Sequence, residues 1–329
     1  MENFGQLFQD FRAIKVGVIG DVMLDTYIWG EVERISPEAP VPVVSLHHRE
    51  QRIGGAGNVA LNLQSMGAQA FVLSVTGADD DANCLQKLFT EKGISTVYAF
   101  ESDQRITTNK TRIISRNQQM LRLDAEITAD LSAAEQEKLL QTFTTFVQQE
   151  KPQVVILEDY NKGVLTQHII ERVIAVCREN GVLTAVDPKR KNFFAYKGVD
   201  IFKPNLKEVR EALNILAMEV EMPDLEKIHR ELKAVLQHRI SFITLSEKGV
   251  FYQDKQEAAI IPSHFRNIAD VSGAGDTVIA VAALVYAARR NVRLMAELAN
   301  IAGGLVCEEV GTAAINPAKL VHECELLLT

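Results

Sequence analysis

The residues that could do chemistry in this sequence are concentrated in one short run, residues 270–276, which reads Asp-Val-Ser-Gly-Ala-Gly-Asp. The run leads directly into a long apolar segment that begins at Thr277, so we predict a loop that turns into a buried helix. Glycine permits the positive-φ turns that aim successive backbone N–H groups into one concavity. The first N–H groups of a helix have no partners within the helix and carry partial positive charge. The run therefore predicts an anion site that favours phosphate.

Asp276 places a carboxylate at the mouth of this predicted anion site. A negative charge beside phosphate opposes binding, which suggests a base that takes a proton from an attacking hydroxyl. The alternative is that Asp276 only caps the helix. The run by itself does not decide between the two roles.

The composition is that of a soluble globular protein, with 329 residues, 47% of them hydrophobic and 24% charged. The net charge of −8 argues against nucleic acid or an anionic membrane as the main partner. No uncharged apolar run approaches the ~20 residues of a membrane helix, and no basic segment with an apolar core opens the chain. The four cysteines lack metal or disulfide spacing. We therefore expect a cytoplasmic protein whose partners are small molecules.

Short apolar runs that end in polar residues recur along the chain, with amphipathic segments between the later ones. Buried strands that alternate with helices predict an α/β fold with a doubly wound parallel sheet, whose ligands bind beyond the carboxyl ends of the strands. Asp21 and Asp25 follow the first run and lie at this predicted edge, although Asp21 also suits a turn. The predicted strands are residues 14–20, 72–76, 154–157, 183–186, 201–205 and 242–245.

Two regions, about 26–50 and 94–122, alternate like strands but do not fit the pattern of the buried sheet. Pro37, Pro40 and Pro42 indicate edge strands. We expect these regions to form a small sheet that stands off the main domain. An exposed apolar face on such a sheet would favour a homodimer.

The two glycine-rich motifs together resemble the signatures of the ribokinase-like (PfkB) family of sugar kinases. Gly54-Gly55-x-x-Asn58 is similar to the first signature, and the run at residues 270–276 is similar to the second. The resemblance covers about residues 14–315 and implies a single kinase domain over residues 1–329, in which the small sheet is a lid over the sugar. Val271 stands where the family often has Thr, so the resemblance leaves a monovalent-cation site open.

The resemblance also implies ATP and Mg²⁺ as cofactors and assigns roles to matching residues. Asp276 would be the base, and the N–H groups of Gly273, Ala274 and Gly275 would hold the transferred group. The residues implied for the sugar or its phosphate are Asp25, Gly54, Gly55, Asn58, Lys110, Arg112, Arg116, Asn117, Asp159 and Lys162, with Arg122 and Lys189 as further phosphate candidates. The residues implied for the nucleotide are Asn205, Leu206, Lys207, Glu208, Thr244, Ser246, Gly249, Gly275 and Asn300. Asn205 and Glu208 would hold Mg²⁺ through water, unless they only form a capping box.

Within the family, four stretches resemble the branch that acts on D-glycero-β-D-manno-heptose 7-phosphate, namely residues 19–25, 35–44, 115–124 and 270–279. This resemblance implies phosphorylation of the C1 hydroxyl to the 1,7-bisphosphate, in the synthesis of ADP-heptose for the lipopolysaccharide core. In many bacteria that kinase is fused to an adenylyltransferase. Because the chain contains no HxGH motif, we expect the free-standing form.

Three other functions are weighed against this one. Another kinase of the family would act on a different sugar, sugar phosphate or nucleoside. A dinucleotide-dependent oxidoreductase would need G-x-G-x-x-G directly after the first strand, where the chain has Gly20-Asp21-Val22-Met23. A sugar-binding protein without catalysis would not need the acidic residues Asp276 and Glu208 together.

Overall fold

The computed structural model describes residues 2–116, 118–216, 219–264 and 266–328. The strands are β1 (Lys15–Gly20), β2 (Val22–Ile35), β3 (Pro42–Gly55), β4 (Gln69–Leu73), β5 (Val75–Gly77), β6 (Phe100–Ser102), β7 (Asn109–Ser115), β8 (Gln118–Ala125), β9 (Val154–Glu158), β10 (Leu183–Asp187), β11 (Ile201–Phe202), β12 (Ile240–Thr244), β13 (Val250–Gln253) and β14 (Ala258–Ile261). The helices are α1 (Phe4–Asp10), α2 (Ala56–Ser65), α3 (Asp80–Glu91), α4 (Ala133–Glu150), α5 (Gln167–Glu179), α6 (Leu206–Ala212), α7 (Met222–Leu236), α8 (Ala274–Arg289), α9 (Val292–Val306) and α10 (Pro317–Leu327).

The main sheet has eight strands in the order β14-β13-β12-β11-β10-β9-β1-β4. The six strands from β4 to β12 in this order are parallel, and β13 and β14 add an antiparallel edge. The predicted α/β fold is confirmed. The prediction of one strand over residues 72–76 is wrong, because Ser74 separates β4 from β5. Its hydroxyl donates to the Gly20 carbonyl oxygen at 2.6 Å, and β5 leaves the sheet to pair with β6.

Helices cover both faces of the main sheet, so its strands are buried on both sides. Apolar side chains from α2, α8, α9 and α10 form one core, and those from α4, α5 and α7 form the other. Alternate residues of β12 divide between them: Phe242 packs in the first core and Ile243 in the second. Each fully buried side chain of this size contributes roughly 1.5–3 kcal/mol. No helix formed by the described residues is long and apolar enough to cross a membrane.

Helix α8 lies within the first core, and its N-terminus is fixed by a glycine. Every residue from Asp276 to Tyr286 is buried, which is typical of a helix surrounded by protein. Gly273 at its N-cap has a φ of 79°, a conformation that glycine adopts without strain. A Cβ atom there would also lie 2.7 Å from Asn58 Nδ2. Gly273 therefore lets the loop approach α2 closely.

The predicted small sheet is present, with four strands in the order β3-β2-β7-β8. We call it the lid sheet. Its register places Asp25 beside Lys110 and Tyr27 beside Arg112, so these four side chains share one face. The expectation that residues 94–100 join this sheet is wrong: Ile94 is buried in the main core and β6 pairs with β5 instead. The apolar side chain of Ile94 buries more surface in the main core than it would on a half-exposed strand of the lid sheet.

A buried cluster of two histidines and one serine lies between α7 and β12. His229 Nδ1 lies 2.9 Å and His238 Nε2 lies 2.6 Å from the Ser241 hydroxyl. Burial lowers the pKa of His229 from 6.5 to about 4 and that of His238 to about 3. Both rings are therefore neutral in the folded protein near pH 7.

We expect this cluster to destabilise the protein as the pH falls below about 6.5. Below that pH the histidines of the unfolded chain bind protons, whereas those of the folded cluster stay neutral. The free energy of unfolding therefore falls by up to about 1.4 kcal/mol per pH unit for each histidine. Stability from the pair is fully present above pH 6.5 and declines towards about pH 4. Urea unfolding between about pH 7 and 5 should show a smaller loss for His229→Gln than for the wild type. His168→Gln, at an exposed position on α5, should leave the wild-type slope; an equal effect of both variants would contradict this role.

Candidate active site

The candidate site lies where the carboxyl ends of β9, β10 and β11 meet the N-terminus of α8. Glu158 and Asp187 end two of these strands, and Lys203 follows the third. All three side chains are buried. Ligands of a parallel sheet bind beyond the carboxyl ends of its strands. Because these parallel strands end at the same edge, the charged residues at their ends lie close together.

Asp276 is buried at the start of α8 with a hydrogen-bond donor on each carboxylate oxygen. Asn58 Nδ2 donates to Oδ2 at 2.8 Å, and the Tyr160 hydroxyl donates to Oδ1 at 2.6 Å. Burial raises the pKa of Asp276 to about 6, although these two hydrogen bonds act to lower it, and Asp187 adds to the increase. The group is mostly ionised near pH 7 and can accept a proton. The helix-cap interpretation is wrong, because no side chain caps α8.

The first turn of α8 provides unpaired backbone donors beside a lysine. Within the described part of the chain, the N–H groups of Gly275 and Asp276 make no backbone hydrogen bond. A Cβ atom on Gly275 would lie 3.8 Å from Lys203 Nζ, so the lysine is close to this turn. The N–H of Ala274 differs from the prediction, since it donates to the Val271 carbonyl oxygen at 3.3 Å. The cradle for an anion is therefore centred on Gly275.

A chain of ion pairs connects this turn with the edge of the sheet. Asp187 pairs with Lys203 at 2.8 Å and with Lys189 at 3.0 Å, and Lys189 also pairs with Glu208 at 2.9 Å. Burial opposes ionisation of Asp187, but the two lysines outweigh it and lower its pKa. Burial likewise disfavours the charged form of Lys189, but the carboxylates of Asp187 and Glu208 outweigh it and raise its pKa. The chain therefore holds fixed charges of both signs.

Glu158 is the exception in this cluster, because neither of its carboxylate oxygens has a hydrogen-bond partner among the described residues. Its side chain is completely buried. Burial raises its pKa well above 4.5, and the negative charges of Asp187 and Asp276 raise it further. These surroundings therefore disfavour the ionised form of Glu158 more than water does.

Asn205 and Glu208 lie together at the start of α6, next to Lys189. Each side chain accepts a hydrogen bond from the backbone N–H of the other at 2.8 Å, so the capping box is present. Their oxygens are nevertheless of the type that Mg²⁺ binds, and this ion needs few protein ligands because it keeps several waters. Since these oxygens are already engaged, the pair fits an ion held through water. Within the described residues, no three acidic, histidine or cysteine side chains form a metal site.

The other residues predicted for the nucleotide follow β11 and β12. Thr244 forms a bridge with Asn205. Ser246 has a φ of 56° and Gly249 a φ of 94°, so Ser246 keeps a left-handed conformation that usually favours glycine. The remaining predicted residues have contacts within the protein: Leu206 packs on the second core, Lys207 is exposed beside Glu211, and Asn300 donates to the Pro262 carbonyl oxygen.

The lid sheet brings a second set of predicted residues towards Asp276. Arg112 pairs with Asp25 at 2.6 Å, and Gly54 lies so close to Asp25 that a Cβ would collide with its carboxylate. Lys110 Nζ lies 5.1 Å from the centre of the Tyr160 ring. One side of the candidate site is therefore lined by the face of the lid sheet that carries Lys110 and Arg112.

Several predicted residues do not join this cluster. Arg116 is exposed and pairs with Glu31. Arg122 pairs with its strand neighbour Asp124. Asp159 turns away from Asp276, because its carboxylate accepts hydrogen bonds from Tyr196 at 2.7 Å and from the Asn161 N–H at 2.7 Å. Lys162 pairs with Glu126 at 2.7 Å, Gly55 begins α2 with a φ of 59°, and Asn117 lies outside the described residues.

The sequence assigned no role to five residues that lie near the site: Glu158, Tyr160, Asp187, Lys203 and Arg52. The first four lie at or just after the carboxyl ends of β9, β10 and β11, so the rule that sites lie beyond strand ends could have selected them. Arg52 carried no such signal. It crosses from the lid sheet to the Val310 and Thr312 carbonyl oxygens at 2.6 and 3.2 Å, a contact that only the tertiary structure reveals.

Comparisons with known proteins agree with this geometry. A family model described as pfkB family carbohydrate kinase matches residues 13–319. The chain is 39% identical over 321 residues to the "Bifunctional protein HldE" of Geobacter metallireducens, which covers 97% of this chain and 65% of that relative. The chain thus spans slightly less than two thirds of that relative's length.

Solved structures share the fold at low sequence identity. Phosphofructokinase-2 from Escherichia coli, in complex with potassium, superposes with a TM-score of 0.78 at 17% identity, covering 95% of this chain and 99% of that one. Ribokinase from Arabidopsis thaliana, complexed with ribose and ATP, gives a TM-score of 0.71 at 14% identity, covering 94% and 98%. At these identities the likeness supports the ribokinase-like fold alone.

Proposed function

The chain belongs to the pfkB family of carbohydrate kinases, and we propose that it phosphorylates the anomeric C1 hydroxyl of D-glycero-β-D-manno-heptose 7-phosphate with ATP. The observation that carries the proposal is the geometry of Asp276. A buried carboxylate with a pKa of about 6 lies at the start of α8, beside free N–H groups and Lys203. This arrangement places a base and an anion cradle within reach of the same reacting group.

The reaction proposed is an in-line transfer of the γ-phosphoryl group. Asp276 accepts the proton of the acceptor hydroxyl as that oxygen bonds to the γ-phosphorus, and the bond from phosphorus to the bridging oxygen of ADP breaks. The N–H of Gly275 and the ammonium of Lys203 stabilise the negative charge on the transferred group. Most of the rate enhancement then comes from positioning and charge stabilisation.

Magnesium supplies charge neutralisation between the phosphates when it is bound. Asn205 and Glu208 would hold it through water, on the nucleotide side of the Asp187–Lys189 ion pair. The positive φ of Ser246 and Gly249 turns the chain after β12, and we assign this turn to the nucleotide.

The choice of a sugar phosphate as acceptor rests on the basic face of the lid sheet and on the heptose-branch stretches in the sequence. The similarity to the bifunctional relative supports this choice over other sugars. The pathway assignment to lipopolysaccharide core heptose, and a cytoplasmic location where ATP is available, follow from the same proposal.

The experiment is coupled release of ADP from Mg-ATP with a panel of acceptors. Heptose 7-phosphate, unphosphorylated heptose, ribose, fructose 6-phosphate and fructose 1-phosphate are compared at equal concentrations. We expect turnover with heptose 7-phosphate alone. Turnover with another sugar would replace the substrate but keep the kinase, and no turnover with any acceptor would contradict the proposed reaction.

A homodimer formed through the lid sheet is a separate part of the proposal. Several large apolar side chains on this sheet are exposed, among them Leu46 at 61%, Leu121 at 51% and Leu123 at 53%. Leu121 and Leu123 lie two residues apart on β8 and share one face of this edge strand, and exposed apolar surface of this kind marks interaction sites. A second copy of the chain would cover the two leucines of β8 and remove the strand edge from solvent.

We expect Leu121→Lys combined with Leu123→Lys to convert a dimer into a monomer in sedimentation velocity. Charges in the centre of an apolar interface would remain unpaired and desolvated. Leu326→Lys is the matched control, because Leu326 is 65% exposed on α10, away from the lid sheet. A wild-type protein that is monomeric at micromolar concentration would overturn the dimer.

A further inference from the structure

Tyr160 occupies a position between the two halves of the candidate site. Its backbone N–H donates to the Asp21 carboxylate at 2.8 Å, and the N–H groups of Lys162 and Val164 donate to the same carboxylate at 3.0 and 3.1 Å. Asp21 is buried. This single carboxylate therefore fixes the loop after β9 and, with it, the direction of the Tyr160 side chain.

Two lysines lie over the Tyr160 ring, Lys110 from the lid sheet and Lys189 from the segment after β10. Lys110 Nζ is 5.1 Å and Lys189 Nζ is 5.5 Å from the ring centre. Cations at these distances are attracted to an aromatic face. The hydroxyl at the end of the ring reaches Asp276 Oδ1 at 2.6 Å. The side chain thus has an anchored backbone, a held ring and one hydroxyl directed at the base.

The two donors on Asp276 together fix the plane of its carboxylate. Asn58 is completely buried and holds Oδ2, while Tyr160 holds Oδ1. A carboxylate oxygen can accept two hydrogen bonds, so Oδ1 keeps one lone pair after it accepts from Tyr160. The remaining lone pair has a fixed direction because both oxygens are held.

We propose that Tyr160 is a positioning residue for the Asp276 base: its hydroxyl occupies one lone pair of Oδ1 and leaves the other directed at the acceptor hydroxyl. This inference rests on the proposed kinase reaction. During transfer the acceptor O–H bond breaks, its proton moves to Asp276, and the acceptor oxygen bonds to the γ-phosphorus as ADP leaves. Tyr160 keeps its own proton throughout.

The charges around Asp276 are consistent with a phenol that only donates. Glu158 from β9 and Asp187 from β10 face the base, together with Lys189 and Lys203 from the segments after β10 and β11. Burial raises the pKa of Tyr160 well above 10, and the negative charges of Asp276 and Glu158 raise it further. A neutral phenol next to an ionised carboxylate can donate its proton in a hydrogen bond without losing it.

The test is Tyr160→Phe, which removes the hydroxyl and keeps the ring beside Lys110 and Lys189. We expect kcat to fall about tenfold, because one charge-assisted hydrogen bond is lost. KM for the acceptor should stay within about twofold of the wild-type value. Because that hydrogen bond lowers the pKa of Asp276, the acidic limb of the kcat profile should move up by about one pH unit. A purely structural role for Tyr160 would not move this limb.

Tyr196→Phe is the matched control. Tyr196 is a buried tyrosine whose hydroxyl donates to the Asp159 carboxylate at 2.7 Å, away from the base. It should leave the acidic limb at its wild-type pH. An unchanged limb in Tyr160→Phe, or an equal shift in both variants, would overturn the positioning role.

A second measurement separates this inference from the proposed reaction. Carboxyl ¹³C NMR of aspartate-labelled protein without substrates, with Asp276→Asn to assign the signal, reports the pKa of Asp276 directly. We expect a higher pKa in Tyr160→Phe than in the wild type. An unchanged pKa would overturn the role of Tyr160, whereas a wild-type protein that phosphorylates no acceptor would overturn the reaction while this titration still tests the contact.

Discussion

Asp276→Asn should lower kcat by at least about 10²-fold, the lower range for the loss of a general base. An amide cannot accept the proton that the acceptor hydroxyl loses, while its size and most of its contacts remain. KM for ATP should change little, because most of the residues proposed for the nucleotide lie in α6 and its N-cap or at and after the end of β12. Steady-state ADP release with saturating acceptor measures the effect. Turnover near the wild-type value would contradict the role of Asp276.

The control for this variant addresses the packing of α8 rather than its chemistry. Asp276 is buried, and its replacement disturbs hydrogen bonds to Asn58 and Tyr160. Asn58→Asp would keep the size of that partner but place a second carboxylate beside the base, so it is unsuitable. Thr277→Val is preferable, since the Thr277 hydroxyl bonds Asn62 Oδ1 at 3.1 Å within the same buried contact between helices. We expect a loss of thermal stability but near-normal kcat for Thr277→Val.

The acidic limb of the wild-type profile of kcat against pH should also report the pKa of Asp276. Its folded-state pKa is raised to about 6, so activity should fall as the pH drops through about 6 and the carboxylate becomes protonated. The same increase in pKa means that ionised Asp276 costs stability at neutral pH and that this cost is relieved at lower pH. A limb near the ordinary aspartate value of 3.8 would indicate a different base.

Sequence reasoning could predict the parallel sheet and Asp276 because each depends on local pattern. Buried strands followed by polar residues identify the edge of the sheet where ligands bind. Gly273 and Gly275 predict a turn that leads into a helix. The pairing of charges could not be predicted in the same way. Asp159 and Glu158 are neighbours in sequence, yet the Asp159 carboxylate accepts a hydrogen bond from Tyr196, whereas the Glu158 carboxylate has no hydrogen-bond partner among the described residues.

The six basic candidates for the phosphate also show that charge pairing could not be predicted from the sequence. From the sequence, six lysines and arginines were equivalent candidates for the distal phosphate of the acceptor. The structure distinguishes five of them by a carboxylate partner, namely Glu31, Asp25, Asp124, Glu126 or the pair Asp187 and Glu208. The partners of Arg112, Arg116 and Lys162 come from distant parts of the chain, and no spacing in the sequence encodes them.

Lys110 is the remaining candidate, and we expect it to anchor the distal phosphate. Among the described residues, Lys110 has no carboxylate within 4.0 Å, and it is partly buried. Burial lowers its pKa, and nearby Lys162 lowers it further, while Asp25 opposes the decrease. A partly buried cation without a paired anion is stabilised when a phosphate binds. Its position over the Tyr160 ring, whose hydroxyl bonds Asp276, keeps that phosphate near the base.

Lys110→Met should therefore raise KM for the phosphorylated acceptor by about 30- to 160-fold, since a desolvated charge-assisted contact is worth roughly 2–3 kcal/mol. KM for ATP should stay within about twofold, and the affinity for unphosphorylated heptose, measured as competitive inhibition, should not change. Arg122→Met is the matched control, because Arg122 lies on the same sheet but pairs with Asp124 at 2.9 Å. If both variants leave the sugar KM unchanged, the phosphate binds elsewhere. If the affinity for unphosphorylated heptose falls as much as that for the phosphorylated acceptor, Lys110 acts on the sugar ring and selects no phosphate.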